Sequence, residues 1–344
     1  YLFLLQKREE NELSQAFTAY NTRIVTPPHG SMLPTSPVRK NIFMVAFALG
    51  LLIPIVIIFM RENMNTRVRG RKDLESVTVP FIGEIPLFTR KKKRIFGKKP
   101  QEVKAVVVKE GNRDIINEAF RVLRTNLEFM TGKDKTSNVI IMTSFNPGSG
   151  KSFLTMNIAM SLAIKGKKVL VIDGDLRHAS ASSYIDSPDK GLSDYLGGRI
   201  DNLDEIIVPD PKHKSMDILP VGTIPPNPTE LLFDERLKQT IDTVREQYDY
   251  VLIDCPPVEL VADTQIIEKL ADRTIFVVRA GLLERSMLSE LEKIYDEKKY
   301  KNMSLILNGT EGSGGRYGYR YGYRYGYHYG YGSGYHYGSD EKHN

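Results

Sequence analysis

The stretch Ser144-Phe145-Asn146-Pro147-Gly148-Ser149-Gly150-Lys151-Ser152 puts two glycines, a lysine and a hydroxyl at a spacing that suits phosphate chemistry. Gly148 and Gly150 let backbone N–H groups close around phosphate oxygens, with Pro147 and Ser149 completing the turn. The N-terminus of a following helix adds positive potential. Lys151 is placed to reach the β- and γ-phosphates, and the Ser152 hydroxyl to ligate Mg²⁺. One departure stands out: the first glycine of the usual GxxxxGK[ST] pattern falls at position 145, which is Phe145. Three carboxylates accompany the loop. Asp173 and Asp175 come just past the apolar run 168–172, and Asp254 just past 250–253. An Asp closing a buried strand is often only a helix cap, a reading that stays open for Asp175. Asp254, after four apolar residues downstream of a phosphate loop, reads as a Walker B carboxylate. Together these residues imply a bound nucleotide.

Holding them in place requires strands and helices in alternation. The loop follows the apolar run 139–142 and opens a helix-like one over 153–163. Strands are predicted at 138–143, 168–172, 216–219, 250–253, 274–278 and 303–307, separated by helical stretches, which indicates parallel βαβ units. Loop and carboxylates then converge on the carboxyl edge of one sheet, where open α/β folds bind ligands. Asn308, past the last strand, suits either a base contact or a turn. Residues 114–131 predict a helix, with Ile116, Ala119, Phe120, Leu123, Leu127 and Met130 as its apolar stripe. Glu118, Arg121 and Arg124 fall beside that stripe and face either another subunit or solvent.

The flanks have other characters. Residues 2–22 have the pattern of the end of an amphipathic helix, and 26–37, with Pro27, Pro28, Pro34 and Pro37, must be extended. Residues 42–60 then run 19 positions without a charge, the length of a transmembrane helix, with a kink expected at Pro54. The excess of Lys and Arg lies after this span, which makes the C-terminal side cytoplasmic. Of the net charge of +6, residues 61–112 carry more than the whole, with 14 Lys/Arg against 6 Asp/Glu, so a basic nucleic-acid face on the main domain is excluded. The run 90–94 suits anionic headgroups or a solvated linker. The lone Cys255 excludes an internal disulfide framework and reads as buried packing. Residues 312–338 hold ten of the 18 tyrosines among Gly, Arg, His and Ser, with no aliphatic residue, and are expected to be disordered. The chain starts at Tyr1 without Met and is expected to be part of a longer one.

Taken together, these motifs resemble the bacterial tyrosine kinase (BY-kinase) family attached to polysaccharide co-polymerases. Residues 144–152 match its Walker A, 169–177 (VLVIDGDLR) its Walker A′, 250–257 (YVLIDCPP) its Walker B, and 118–124 (EAFRVLR) its ExxRxxR helix. The tyrosine cluster, the span and the Pro-rich segment match as well, so the likeness covers nearly the whole chain. It implies a P-loop NTPase α/β fold with a mostly parallel sheet, preceded by a transmembrane helix and followed by the tail. The implied parts are 1–41 as the end of a periplasmic region, 42–60 as the span, 61–112 as a juxtamembrane linker, 113–311 as the kinase domain and 312–344 as the tail. The implied reaction moves the ATP γ-phosphoryl onto Tyr317, Tyr319, Tyr321, Tyr323, Tyr325, Tyr327, Tyr329, Tyr331, Tyr335 and Tyr337 of a neighbouring subunit. Lys151 and Arg177 would serve the phosphates. Ser152, Asp254 and Asp173 would serve Mg²⁺, with Asp173 also taking or orienting the tyrosine proton and Asp175 supporting the metal. Glu118, Arg121 and Arg124 would hold a ring-like homo-oligomer at the inner membrane, working with polysaccharide polymerisation and export machinery and a tyrosine phosphatase. The alternatives are a nucleotide-gated chain-length regulator, or a MinD/ParA-like ATPase without kinase activity.

Overall fold

The computed structural model describes residues 1–17, 30, 38–88, 105–132, 138–211, 213–258 and 262–310. The expectations for the Pro-rich segment, the run 90–94 and the tyrosine tail lie outside these residues. The chain divides into two units, Tyr1–Asn65 and Thr66–Asn344.

The first unit contains α1 (Leu2–Phe17) and α2 (Arg39–Asn63). Helix α2 includes the uncharged run and continues through Pro54. Over Arg39–Met60 it is, among the described residues, the one helix long and apolar enough to cross a membrane.

In the second unit the order is β1 (Phe81–Pro86), α3 (Ile115–Thr131), β2 (Val139–Thr143), α4 (Lys151–Ile164), β3 (Val169–Asp173), α5 (Leu192–Leu196), β4 (Val208–Pro209), β5 (Met216–Leu219), α6 (Pro228–Leu232), α7 (Glu235–Gln247), β6 (Tyr250–Asp254), α8 (Asp263–Glu268), β7 (Arg273–Arg279), α9 (Met287–Asp296) and β8 (Ser304–Thr310). The strands form one sheet in the order β1-β8-β7-β2-β6-β3-β5-β4, parallel except for the β4–β5 pair. Central strands are apolar on both sides because helices cover both faces. Val139 and Ile141 of β2 enter one core layer with Ile241 and Leu291, while Ile140 and Met142 enter the other with Phe120 and Leu154. Register fixes the site: Asp173 pairs with Asp254, and Arg279 with Asn308.

Two features depart from the sequence expectations. Residues 66–88 are not linker. Val68, Leu74, Val79, Ile82 and Ile85 are buried, and β1 pairs in parallel with β8, so the sheet domain reaches back to Thr66. Pro80, Gly83 and Pro86 interrupt the apolar pattern, and the pairing partner lies more than 200 residues away in sequence. The second feature is the minimal edge strand β4, whose two residues carry no periodic signal. Because β1 closes one sheet edge, Ile85→Ala is expected to cost about 2–4 kcal/mol by denaturant unfolding. A change below about 0.5 kcal/mol would mean β1 is not part of the cooperative fold.

Helix α3 follows the prediction closely. The Asp114 carboxylate accepts from the Asn117 N–H at 2.8 Å as N-cap, and Ile116, Phe120, Leu123 and Leu127 are buried.

Candidate active site

The phosphate loop leaves the carboxyl end of β2 and enters α4. Phe145, in the place of the usual first glycine, points down into the core and meets Phe276 edge-to-face at 4.8 Å. Such a contact contributes about 0.5–1.5 kcal/mol beyond burial and anchors the loop's base. The Asn146 carbonyl accepts from both the Ser144 and Ser149 hydroxyls at 2.8 Å, tying the loop to itself. Gly148 and Gly150 adopt φ of 73° and 86°. At Gly150 a side chain would be strained by that φ, and its Cβ, 2.2 Å from the Asn308 amide nitrogen, would push that amide off the loop.

That contact ties Asn308 to the loop. Its side-chain N–H donates to the Ser149 carbonyl at 2.8 Å, so the amide braces the loop from β8. Sequence spacing could not show this, since 159 residues separate the two partners. Arg279, which the sequence reading missed, ends β7 beside Asn308, with a guanidinium nitrogen 3.5 Å from the position of that hypothetical Gly150 Cβ.

Lys151 begins α4 and is buried, and its ammonium donates to the Ser144 hydroxyl at 3.4 Å. Burial lowers its pKa, opposed by the charges of Asp254 and Asp175. A desolvated ammonium of this kind is electrostatically unsatisfied, which favours an anionic ligand.

Asp173 and Asp254 lie side by side at the ends of β3 and β6, both buried. One Asp173 oxygen accepts from the Ser182 N–H and hydroxyl, each at 2.7 Å, and Asp254 is hydrogen-bonded by the Ser152 side chain. The Oδ1 atom of each carboxylate has no hydrogen-bond partner among the described residues. Burial first, then the adjacent carboxylate, pushes Asp254 up to about 8, against the lowering effects of Lys151 and Ser152. Burial likewise pushes Asp173 up to about 6. Two under-bonded buried carboxylates beside a serine hydroxyl are a hard oxygen set of the kind Mg²⁺ uses. The described residues contain no cage of three or more His, Cys, Asp or Glu side chains. Mg²⁺ does not need one, because it retains waters and shares its shell with substrate phosphates. The residues fit.

Asp175 is nearly buried, accepts from the backbone N–H groups of Arg177 and His178, and pairs with the His178 ring at 3.3 Å. Arg177, expected at the phosphates, instead donates to Asp263 at 3.0 Å and to the Thr229 hydroxyl at 3.0 Å. It clamps α6 to α8. Cys255 is buried beneath the site, and burial pushes its thiol well up, which fits packing rather than nucleophilic attack. Away from this edge, Glu118, Arg121 and Arg124 are half-buried on α3. Glu118 pairs with Arg121 at 3.0 Å, and Arg124 donates to the Ser161 carbonyl at 2.8 Å.

Comparison with known proteins adds to this geometry. The family model for an AAA domain matches residues 137–306, the segment that carries the nucleotide-binding loop. Tyrosine-protein kinase etk of Escherichia coli K12 is 30% identical over 320 residues, covering 90% of this chain and 44% of that protein. Tyrosine-protein kinase wzc of Salmonella typhimurium is 31% identical over 317 residues, covering 90% and 43%. The chain therefore spans under half the length of these curated relatives. Among solved structures, the kinase domain of Escherichia coli ETK superposes with a TM-score of 0.62 at 28% identity, covering 77% of this chain and all of that one. The BceF tyrosine kinase domain does so with a TM-score of 0.60 at 29% identity, covering 71% and 99%. A P-loop of the Gly148–Ser152 form, paired carboxylates at the ends of β3 and β6, and relatives of this kind over nine-tenths of its length place the chain in the bacterial tyrosine kinase family.

Proposed function

We propose that the chain transfers the γ-phosphoryl group of ATP to the tyrosines of residues 317–337 in a neighbouring copy. The observation that carries this reading is the meeting of the phosphate loop with the under-bonded Asp173 and Asp254 at one sheet edge. In it, backbone N–H groups of 148–151 hold phosphate oxygens. Lys151 sets its charge against the oxygens that become more negative as the bond to ADP breaks. Ser152, Asp254 and Asp173 would hold Mg²⁺, which when bound neutralises phosphate charge. The phenolic oxygen forms the new P–O bond, the bond to the ADP oxygen breaks, and the phenolic proton passes to Asp173, with Asp175 supporting. A phenol of pKa about 10 is nearly all protonated at pH 7, so an adjacent carboxylate helps.

We further place the protein at a bacterial inner membrane, spanning by α2, with Thr66 onward cytoplasmic and the N-terminal region outside. The charge asymmetry across the span supports this orientation. A ring-like homo-oligomer would use the α3 face, where Ile115, Val122 and Phe129 are exposed at seven-residue spacing beside Glu118 and Arg121. Polysaccharide polymerisation and export machinery and a tyrosine phosphatase are the proposed partners. A Klebsiella pneumoniae relative named from its cps region supports the polysaccharide connection.

The test is incubation of the purified chain with labelled ATP and Mg²⁺, followed by phosphotyrosine mapping. Label within 317–337 is expected. ATP turnover without phosphotyrosine would favour the MinD/ParA-like ATPase, and binding without turnover the nucleotide-gated regulator.

A further inference from the structure

Behind the candidate active site, α3 and the last turn of α4 enclose a groove of about 390 Å³ with the segment before α3. That volume lies in the range of small-ligand sites. Five of its lining residues are basic (Lys109, Arg113, Arg121, Arg124 and Lys165), against the single acidic Glu110. Not all of that charge is available. Glu118 pairs with Arg121 at 3.0 Å, and Glu128 pairs with Lys165 at 2.5 Å. Lys109, Arg113 and Arg124 are left opposite Glu110, a surplus of about two positive charges.

The groove is built rather than incidental. The buried Asn157 side chain accepts from the Val107 and Val108 N–H groups at 2.7 and 3.1 Å, and the Asn117 side chain accepts from Lys109 N–H at 2.9 Å. These bonds hold one wall against α3 and α4. Arg121 is oriented by the Asn112 carbonyl at 2.9 Å and Arg124 by the Ser161 carbonyl at 2.8 Å. Both guanidinium groups retain N–H donors, and Nε of Arg124 has no partner among the described residues. Lys109 and Arg113 are exposed, and their side chains make no hydrogen bond or ion pair with the described residues. Fixed arginine forks with spare donors are the usual means of holding a phosphate monoester.

We infer that this groove binds one phosphotyrosine of the chain's own tail. The inference rests on the proposed kinase reading for the source of the phosphate. Charge selects this occupant. Unmodified, residues 316–337 carry Arg316, Arg320 and Arg324 and no acidic residue, so the groove repels them. A phosphate adds about −1.5 to −2 at pH 7, which matches the surplus of the groove. One phosphate lowers the segment's charge from +3 to about +1 and gives the arginine forks a local dianion to hold. Fully extended, the chain from Thr310 spans roughly 36 Å to Tyr321 and roughly 90 Å to Tyr337. Arg121 and Arg124 also belong to the proposed subunit face. A docked phosphotyrosine therefore competes with a neighbouring copy for that face.

The experiment uses Lys151→Met protein of residues 1–344 in detergent, which leaves its own tail unmodified. A fluorescent peptide of residues 316–325 with phosphate on Tyr321 is titrated by anisotropy beside its unphosphorylated twin. Binding at least tenfold tighter for the phosphopeptide is expected, unchanged by excess ADP and Mg²⁺. Lys109→Glu with Arg113→Glu, both exposed and unpaired among the described residues, should weaken it at least tenfold without a shift in melting temperature. Arg124→Lys, which keeps the charge but loses the fork, should weaken it severalfold. Equal binding of both peptides, displacement by ADP, displacement by inorganic phosphate at the peptide's own concentration, or indifference to the charge reversals would each overturn the assignment. Because the phosphopeptide is synthetic, a chain that binds it yet never phosphorylates tyrosine loses the kinase reading and keeps the groove. An active chain that ignores the peptide does the reverse.

Discussion

Lys151→Met is expected to lower tyrosine phosphorylation by at least about 10²–10³-fold while leaving the sheet domain folded. The methionine preserves the length and apolar stem of the lysine, so the packing at the start of α4 survives. What it removes is the ammonium charge that sits within the loop, donating to Ser144 at 3.4 Å and drawn to Asp254 and Asp175. Phosphoryl transfer needs little from a protein beyond positioning and charge neutralisation, so losing the loop's own cation falls on the rate rather than on the fold. Because Lys151 already carries a desolvation penalty, its removal should alter thermal stability only slightly. The measurement is radiolabel incorporation into tyrosine alongside circular dichroism of the same sample. Wild-type labelling by a well-folded variant would remove Gly148–Ser152 from the reaction.

Asp254→Asn is expected to show opposite effects on activity and on stability. Without ligand, Asp254 is buried beside Asp173 and its pKa is pushed up to about 8. The sign follows from linkage. An unfolded aspartate ionises near its ordinary value of 3.8, whereas the folded one resists ionisation, so stability is lost as pH rises from about 4 to about 8. An asparagine never pays this penalty. After subtracting the cost of an imperfectly bonded buried amide, the ligand-free variant should be more stable than wild type at pH 8 by about 1–3 kcal/mol. The gap should close toward pH 4. Phosphorylation should fall by about 10²-fold or more, and stabilisation by ADP with Mg²⁺ should shrink or vanish, since a neutral amide offers the cation no charge. Melting curves across pH, with and without ADP and Mg²⁺, decide the matter. A ligand-free variant less stable than wild type at pH 8 would mean that the carboxylate has a structural partner instead.

Much of this site was legible before any tertiary structure. The parallel β/α order follows from short apolar runs that alternate with amphipathic stretches, because a strand covered on both faces must be apolar on both. The carboxyl-edge position of the phosphate loop, Asp173 and Asp254 follows in turn, because parallel strands end on the same side. Helix α3 and its buried face were read from spacing alone. Other features belong to contacts between residues remote in sequence, and only folding decides those. Strand β1 was hidden in a basic segment because its signal is a pairing with β8 rather than a local pattern. The tertiary structure also turns Asn308 toward the loop, ties Arg177 to Asp263, buries Lys151 and seats Phe145 on Phe276 where a glycine is usual. Residue type and spacing determine which groups reach the sheet edge. Which atoms of those groups remain unbonded and open to a ligand is settled by the packing around them, and that packing is assembled from every part of the domain at once.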